Sequence, residues 1–357
     1  MIGIKKGRKS VESRFEAIRF SAAVIISIAL SFAIILLVSG KPLIALQKLF
    51  LGPLESWRRF GNVVELGITL SFTGLSVAIM FSANQFNMGT EGSFYVGGAV
   101  AAMFAIAAPL PPVIQPAAAI LLGAVAGAII CAIPALLKGK WGASELVSSL
   151  MLNYVFFYLA RYFANTTFKD PACGFVATYL MPSSAKLARI VPGTRIHAGI
   201  FILAATVVLA VVFMRRTKGG YALVQAGRNA KFATYSGIKT SFVILYAQLI
   251  GGFIGGLGGA VEVLGMYDRF QWQSLPGYGF DGIIVAILAK NKPKYVPIAA
   301  FLLAYLRIGA DKMSTATDVT SEMISIIQGV IIMLVAAQAF LSGRRQRMLI
   351  KEAAIDE

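Results

Sequence analysis

A polar passage interrupts the apolar runs of this chain at residues 84–92, which read NQFNMGTEG. It carries two asparagines, one glutamine and Glu91, but neither lysine nor arginine. Side-chain amides and a carboxylate can hydrogen-bond a polar solute, and an acid inside a membrane span is by default a functional candidate. The structural alternative is that Glu91, beside Gly92 at the start of an apolar run, complements the positive end of a helix dipole. No acid–base pair or metal-ligand constellation accompanies the passage, so its residues are typical of binding rather than catalysis.

A second passage has the same form. Residues 274–288 read SLPGYGFDGIIVAIL, and Asp281 and Gly282 open a short apolar segment there. In the predicted topology the two acid–glycine pairs follow spans that run in opposite directions. Interrupted segments at corresponding places in oppositely oriented halves indicate an inverted repeat with a pathway between its halves. We predict repeat halves at about 61–164 and 240–342.

The elements that position these passages are long apolar runs. The chain of 357 residues is 57% hydrophobic and only 14% charged, whereas a soluble domain is about a quarter charged. Runs of about 18 apolar residues can cross the bilayer as helices. We therefore predict an all-α polytopic membrane protein with about ten transmembrane helices, some of them broken or half-length. The predicted spans are 18–39, 62–82, 91–108, 113–137, 143–163, 197–214, 241–265, 280–290, 295–310 and 322–342.

The basic residues orient this topology. The net charge is +17, which in a soluble protein suggests nucleic acid but in a membrane chain reflects the positive-inside rule. Most of the 33 lysines and arginines fall in segments that the ten spans place on one side. We therefore expect a bacterial cytoplasmic (inner) membrane protein with both termini in the cytoplasm and no nucleic-acid partner.

The basic inner loop 215–240 is longer than a turn requires. It has helical potential between Gly220 and Gly237, with the apolar stretch YALVQA inside it. It is either a topology anchor or a docking helix for a cytoplasmic partner. The chain lacks the phosphate-binding pattern G-x-x-x-x-G-K-S/T, so we expect it to bind no ATP or other cofactor itself.

Small residues recur at helical spacing inside the apolar runs. Spacings of four residues allow helix backbones to approach closely, which indicates packing rather than chemistry. The glycines concerned are Gly123, Gly127, Gly251, Gly252, Gly255, Gly256 and Gly259.

Several of these motifs together resemble a known family. The stretches FTGLSVAIMFSANQFNMGTEGSFYVGGAVAA, SELVSSLMLNY, GYALVQAGRNAKFATYSGI, GYGFDGIIVAILAKNKP and SEMISIIQGVIIMLVAA occur in this order. They resemble bacterial ABC-importer permeases of the ribose, branched-chain amino acid and nucleoside group, and within it the nucleoside or general simple-sugar subgroup. The resemblance covers about residues 60–340. Ser93 and Val224 depart from it, standing where a glutamine and an arginine are expected.

The resemblance implies a permease subunit of an ATP-driven importer, with alternating access as its mechanism. Its partners would be cytoplasmic ATPase subunits, a second permease chain, identical or paralogous, an extracytoplasmic binding protein or lipoprotein, and membrane lipid. The ATP would be used by the partner subunits. The resemblance also implies that loop 220–238 is the coupling helix, with Gly220, Gly227, Arg228, Asn229 and Gly237 as its coupling residues.

The candidate pathway residues are those near the two acid–glycine passages and their approaches. Flat aromatic rings can stack on a nucleobase, although each ring can equally pack in the core or lie at the interface. Asparagines can bind a solute or tie helices together. The candidates are Phe86, Asn87, Glu91, Asn153, Trp272, Phe280 and Asp281.

These observations lead to one predicted organisation and three functional hypotheses. Residues 1–60 hold the basic N-terminus, the first span and an outer segment; residues 61–342 form the permease domain; residues 343–357 form a cytoplasmic tail. The cargo is predicted to be a nucleoside or purine, with ribose or another simple sugar as the alternative. A standalone channel or secondary transporter is the alternative from another class, and it would need neither an ATPase nor loop 220–238.

Overall fold

The computed structural model describes residues 40–318 together with Leu36 and Gly329. Apart from those two residues, the spans predicted at 18–39 and 322–342 and the tail 343–357 lie outside the described residues. The described part is built from helices joined by turns and loops. Within it, extended backbone pairs at two isolated antiparallel bridges, Lys169 with Thr178 and Arg189 with His197.

Eleven helices are numbered here in chain order. They are α1 (Pro42–Leu51), α2 (Trp57–Ser82), α3 (Thr90–Ala107), α4 (Ile114–Trp141), α5 (Glu145–Thr166), α6 (Gly199–Arg216), α7 (Lys218–Arg228), α8 (Ala230–Tyr235), α9 (Thr240–Met266), α10 (Tyr278–Leu288) and α11 (Val296–Ala316). Short 3-10 turns occupy Gly52–Leu54, Ser183–Ala185 and Pro293–Tyr295.

Six of these helices are long and apolar enough to cross a membrane: α2, α3, α4, α5, α6 and α9. They correspond to six of the predicted spans, with boundaries that differ by a few residues. The short span predicted at 280–290 is α10, whose eleven residues reach about 16 Å at 1.5 Å per residue. The total of ten spans and the inverted repeat stay predictions.

The described part of the chain divides into two compact units, residues 40–53 with 306–318 and residues 54–305. In the first unit, α1 lies close to the second half of α11, and a Cβ built on Gly309 would stand 2.0 Å from the carbonyl oxygen of Leu49. The Asp318 carboxylate there accepts a hydrogen bond of 2.8 Å from the backbone N–H of Gly40. Both acid–glycine passages and loop 215–240 belong to the second unit.

The core of the second unit is a close-packed trio of helices, α3, α4 and α9. A Cβ on Gly97 would lie 2.3 Å from the carbonyl oxygen of Gly256, and one on Gly256 would lie 2.4 Å from that of Gly123. Gly127 and Gly252 meet in the same way, with a Cβ on Gly127 at 2.5 Å from the oxygen of Gly252. Because even one methyl group would strike backbone, glycine is required at these crossings. The glycine spacing in the sequence predicts close packing at Gly123, Gly127, Gly252 and Gly256, as the structure shows, but Gly97 was not among the predicted positions.

The remaining long helices differ in their surroundings. Helix α2 runs antiparallel to α9, because Thr69 contacts Glu262 while Ser76 contacts Gly251. Along its most apolar stretch, 94% of the residues of α2 are buried, whereas only 22% of those of α5 and 17% of those of α6 are buried. Helices α5 and α6 therefore present apolar side chains to lipid or to another chain.

The loop between α5 and α6 packs on the segment that follows α9. The backbone N–H of Thr178 donates to Phe270, and the Phe270 N–H donates back to the Thr178 hydroxyl at 3.0 Å. Arg269 pairs with Asp170 at 2.5 Å, and its hydrogen bond to the Asp170 carboxylate lowers the pKa of that group. These contacts fix the approach to α10.

Candidate functional site

The polar passage reverses the chain within the protein. Helix α2 ends at Ser82, and the Thr90 hydroxyl lies 3.0 Å from that of Ser76. At 1.5 Å per residue, Thr90 has returned about 9 Å along α2 from its end. Asn84 supports the reversal with a φ of 55°, a left-handed conformation that asparagine tolerates better than most residues. The end of the passage therefore folds back alongside α2 inside the protein. This agrees with the absence of Lys and Arg from the passage.

Glu91 joins the two acid–glycine passages. Its side chain is fully buried, and its two carboxylate oxygens accept hydrogen bonds of 2.6 Å from the backbone N–H groups of Gly277 and Gly279. These N–H groups lie at the start of α10, where a helix has unsatisfied donors and a positive dipole end. Gly279 also permits the approach, since a Cβ there would lie 2.4 Å from the Glu91 nitrogen. Glu91 thus caps a helix that begins nearly two hundred residues later.

Two predicted pathway amides hold the passage in place. Asn87 donates to the Gln248 side-chain oxygen at 2.5 Å and to the Cys131 carbonyl at 3.3 Å. Asn153 accepts from the Gly92 N–H at 3.0 Å and donates to the Met88 carbonyl at 2.9 Å. The structure thus gives both amides the helix-tying role that the sequence left open. Contact of either amide with a solute stays a prediction.

The predicted aromatic residues fall into two groups. The Trp272 ring stacks on Phe94 at 5.6 Å, and its backbone carbonyl accepts from the Tyr95 hydroxyl at 2.8 Å, so it belongs to a packed aromatic cluster. Phe86 and Phe280, by contrast, are 48% and 39% exposed. Of the predicted rings, Phe86 and Phe280 are therefore the most exposed, whereas Trp272 is half-buried.

Asp281 lies in the first turn of α10 and is partly exposed. Its neighbour Gly282 packs on α2, where a Cβ would lie 2.7 Å from the Thr73 backbone. The Asp281 side chain is therefore carried on a short helix that is fixed to α2 on one side and capped by Glu91 at its start.

Loop 215–240 contains two helices, which corrects the expectation of one coupling helix bracketed by Gly220 and Gly237. Helix α7 ends at Arg228 and α8 begins at Ala230, because Asn229 adopts an extended conformation and its side chain accepts from the Phe232 N–H at 3.0 Å. Asparagine is among the preferred helix N-caps. Asn229 and Arg228 are both exposed, and Gly237 turns the chain with a φ of 81°.

Helix α7 packs directly against the end of α2. A Cβ on Gly227 would lie 2.1 Å from the carbonyl oxygen of Ser82, and one on Gly220 would lie 2.1 Å from that of Phe213. The Tyr246 hydroxyl donates to the Gly219 carbonyl at 2.7 Å, which ties the start of α7 to α9. Because Ser82 ends α2 two residues before the polar passage begins, α7 contacts the chain immediately ahead of the passage.

Sequence reasoning missed two groups of residues. The first is the exposed aromatic side chains of α7 and α8, where Tyr221, Phe232 and Tyr235 are 62%, 60% and 91% exposed. The second is a buried acidic pair, Glu65 on α2 and Glu262 on α9, with the Thr69 hydroxyl donating to Glu262 at 2.5 Å. The pair could have been found, because single acids inside apolar runs are functional candidates.

Within the part of the chain that the structure describes, six membrane-length helices and a polar passage folded back between them are the features of an integral membrane protein. A family profile described as "Branched-chain amino acid transport system / permease component" matches residues 60–336. The chain belongs to this family.

Three relatives match most of the chain. The guanosine ABC transporter permease protein NupP of Bacillus subtilis is 32% identical over 88% of this chain and 91% of its own length. The glucose ABC transporter permease protein TsgB13 of Haloferax volcanii is 30% identical over 85% and 83%. The nucleoside ABC transporter permease protein NupB of Lactococcus lactis is 28% identical over 86% and 87%.

Proposed function

We propose that this ABC permease subunit imports nucleosides or purine bases. Two relatives that match most of the chain are named for guanosine and for nucleosides. The stretches at 144–154 and 220–238 resemble the same subgroup. The observation that carries the mechanism is the contact of Gly227 in α7 with the carbonyl of Ser82, the last residue of α2 before the polar passage.

This contact defines a route for mechanical coupling. A displacement of α7 acts on the end of α2 at Ser82, and the passage that follows leads to Glu91. Glu91 in turn holds the start of α10 through Gly277 and Gly279. Movement of the inner segment therefore reaches Phe280 and Asp281, the candidate pathway residues on α10. Rigid-body tilting of this kind is a common form of alternating access.

The exposed aromatic side chains of α7 and α8 form the ATPase docking face in this proposal. Tyr221, Phe232 and Tyr235 project from a segment that also carries Arg228 and Lys231. Aromatic and arginine side chains are enriched among the residues that dominate protein interfaces. Cytoplasmic ATPase subunits would bind here, and they would bind the ATP.

The rest of the assembly follows from the family. An extracytoplasmic binding protein would deliver the solute, and a second permease chain would complete the channel. Few residues of α5 and α6 are buried along their apolar stretches, so both helices offer surface for that chain or for lipid. The proposed location is the bacterial cytoplasmic membrane, with both termini and the α7–α8 segment in the cytoplasm.

A sugar is the second candidate cargo. The relative from Haloferax volcanii is named for glucose and is 30% identical over 85% of this chain. Exposed aromatic faces such as Phe86 and Phe280 suit a nucleobase through stacking, which favours the nucleoside.

Uptake measurements separate the two cargoes. Cells lacking this chain and cells in which it is restored would be supplied with radiolabelled guanosine, ribose or glucose. We expect the chain to restore guanosine uptake, with unlabelled nucleosides competing and sugars not competing. Restoration of sugar uptake alone would replace the nucleoside with the second candidate.

The docking face has its own test. Phe232→Ala should reduce co-purification of the ATPase with the permease, because a 60% exposed ring is lost from the docking face. Phe175→Ala is the matched control, since Phe175 is 57% exposed in the loop between α5 and α6. Equal ATPase recovery with both variants would contradict the docking assignment.

A further inference from the structure

A cavity of about 420 Å³ lies where the ends of α2, α6 and α7 meet the turn between α10 and α11. Its walls carry five cationic side chains, Arg215, Arg228, Lys290, Lys292 and Lys294. Among the described residues, neither Asp nor Glu lines it. This concentration of one charge sign in a defined cavity differs from an ordinary solvated face, where both signs are interspersed.

The cavity is formed by constrained backbone. Lys290 and Asn291 both adopt left-handed conformations, with φ of 53° and 54°, which are uncommon for residues other than glycine. The Ser82 hydroxyl donates to the Asn291 carbonyl at 3.1 Å and fixes this turn to the end of α2. Gly227 closes the opposite side against the Ser82 carbonyl. The turn therefore holds its lysines in place.

The side chain of Tyr295 is affected by the positive charges that line the cavity. Its pKa is lowered, first by hydrogen bonding with Lys294 and then by the charges of Lys294, Lys292 and Arg215. The Lys294 ammonium also lies 4.1 Å from the centre of the Tyr295 ring. The charges of Arg215 on α6 and of the turn lysines thus act together on Tyr295. The same charges should favour the binding of an anion in the cavity.

An apolar surface continues from the cavity along α6. Val211 and Met214 contribute to the cavity wall, and Val208 and Val212, which share a helix face with Val211 and Arg215, are 60% and 46% exposed. A ligand with a phosphate at one end and a hydrocarbon chain at the other matches both parts. Basic pockets between membrane helices on the cytoplasmic side bind lipid headgroups by the same chemistry.

We propose that this cavity binds the phosphate headgroup of an anionic phospholipid, with its acyl chains lying along α6. Arg228 and Gly227 belong to α7, so a bound headgroup bridges α7 to the turn after α10. The lipid then stiffens the contact between α7 and α2. This inference concerns a lipid and does not depend on which solute is transported.

Retained phospholipid is the direct readout. The permease would be purified with its partner subunits and placed in nanodiscs of phosphatidylcholine mixed with phosphatidylglycerol, and bound lipid would be identified by native mass spectrometry. We compare Lys292→Gln with Lys294→Gln in one chain against Arg216→Gln with Lys218→Gln in another. Both pairs remove two charges, but the second pair does not line the cavity.

The wild type and the second pair should retain phosphatidylglycerol selectively. The cavity pair should lose that selectivity by about fivefold per charge removed. Lys292→Arg with Lys294→Arg should keep it, because both charges remain, and the glutamine variant should still assemble with the partner subunits, which separates lost selectivity from a folding defect.

Three results would overturn the proposal. Equal loss of phosphatidylglycerol in both glutamine variants would mean that only general surface charge acts. Binding of inorganic phosphate or a nucleoside monophosphate with no enrichment of phosphatidylglycerol would assign the cavity to a soluble phosphate ligand. Loss of ATPase binding by the cavity pair in pure phosphatidylcholine would assign it to an acidic segment of the partner protein.

Discussion

Glu91 and Asp281 each precede a glycine in the first turn of an apolar helix, but their surroundings differ. Glu91 is fully buried, and both of its oxygens accept backbone hydrogen bonds from the start of α10. Asp281 lies on α10 itself and is partly exposed. The same local pattern thus supports a helix cap between distant segments in one case and an accessible acid in the other. A local pattern indicates where a helix starts, and distant contacts decide what its acid does.

Glu91 should therefore stabilise the fold more than Asp281 does. A buried carboxylate is costly unless it is hydrogen-bonded, and hydrogen bonds to charged groups contribute about 1.5–3 kcal/mol each. The two bonds of Glu91 therefore hold α10 in place strongly. A partly exposed acid in a first helical turn contributes about 0.3–1 kcal/mol. The comparison predicts a graded series of mutational effects.

Glu91→Ala should have the largest effect. It removes two charge-assisted bonds and leaves two buried N–H groups without their acceptor, which should cost about 3–6 kcal/mol of unfolding free energy. Uptake should fall to background while insertion, which the apolar spans drive, continues. Thermal unfolding in detergent and uptake normalised to membrane expression measure the two effects. Normal uptake would show that Glu91 is only a helix-end residue.

Gly227→Ala should come next, because its Cβ would stand 2.1 Å from the Ser82 carbonyl oxygen. Backbone at the origin of the Glu91 passage must then shift, and we expect at least about a tenfold loss of uptake with expression retained. Gly219→Ala in the same helix is the control, because its Cβ would lie 3.3 Å from the Phe213 ring. Equal uptake in the two variants would remove α7 from the coupling route.

Asn153→Ala should have an intermediate effect. The Gly92 N–H and the Met88 carbonyl lose their partner, and an unsatisfied buried group costs about 1–3 kcal/mol. Unfolding in detergent should therefore occur at a lower temperature than in the wild type. Asn165→Ala, at the far end of the same helix, is the control. An unchanged unfolding temperature for Asn153→Ala would mean that the passage does not need this tie.

Asp281→Asn should have the smallest effect on stability, below about 1 kcal/mol, but a measurable one on uptake. If uptake falls while the unfolding temperature stays near that of the wild type, Asp281 acts in transport and Glu91 mainly in holding the fold. A destabilisation equal to that of Glu91→Ala would show that the two acids have the same structural role.

Much of the fold was predictable because membrane helices are specified locally. Length and hydropathy define the six long helices, and glycine spacing predicts the close packing of α4 and α9, although the glycine of α3 at these crossings, Gly97, was not singled out. The break at Asn229 was also accessible, since asparagine caps helices. It was missed because the loop was treated as one helix between Gly220 and Gly237.

The site was less predictable because its contacts join distant residues. Glu91 and Gly277 are 186 positions apart, and no local pattern specifies that pairing. The same holds for Gly227 and Ser82, whose contact depends on how α7 folds back on α2. The roles of Asn87 and Asn153 stayed open for this reason, because an amide's partner is decided by the tertiary fold.

The glycine crossings of α3, α4 and α9 have a consequence for spectroscopy. The backbones already touch at Gly97, Gly123 and Gly256, so the three helices cannot slide past one another without steric clashes. We therefore expect α3, α4 and α9 to move as one rigid body. Spin labels placed on α3 and α9 should keep one interspin distance throughout the transport cycle. Spin labels placed on α9 and on α6, which is little buried, should instead show a second interspin distance.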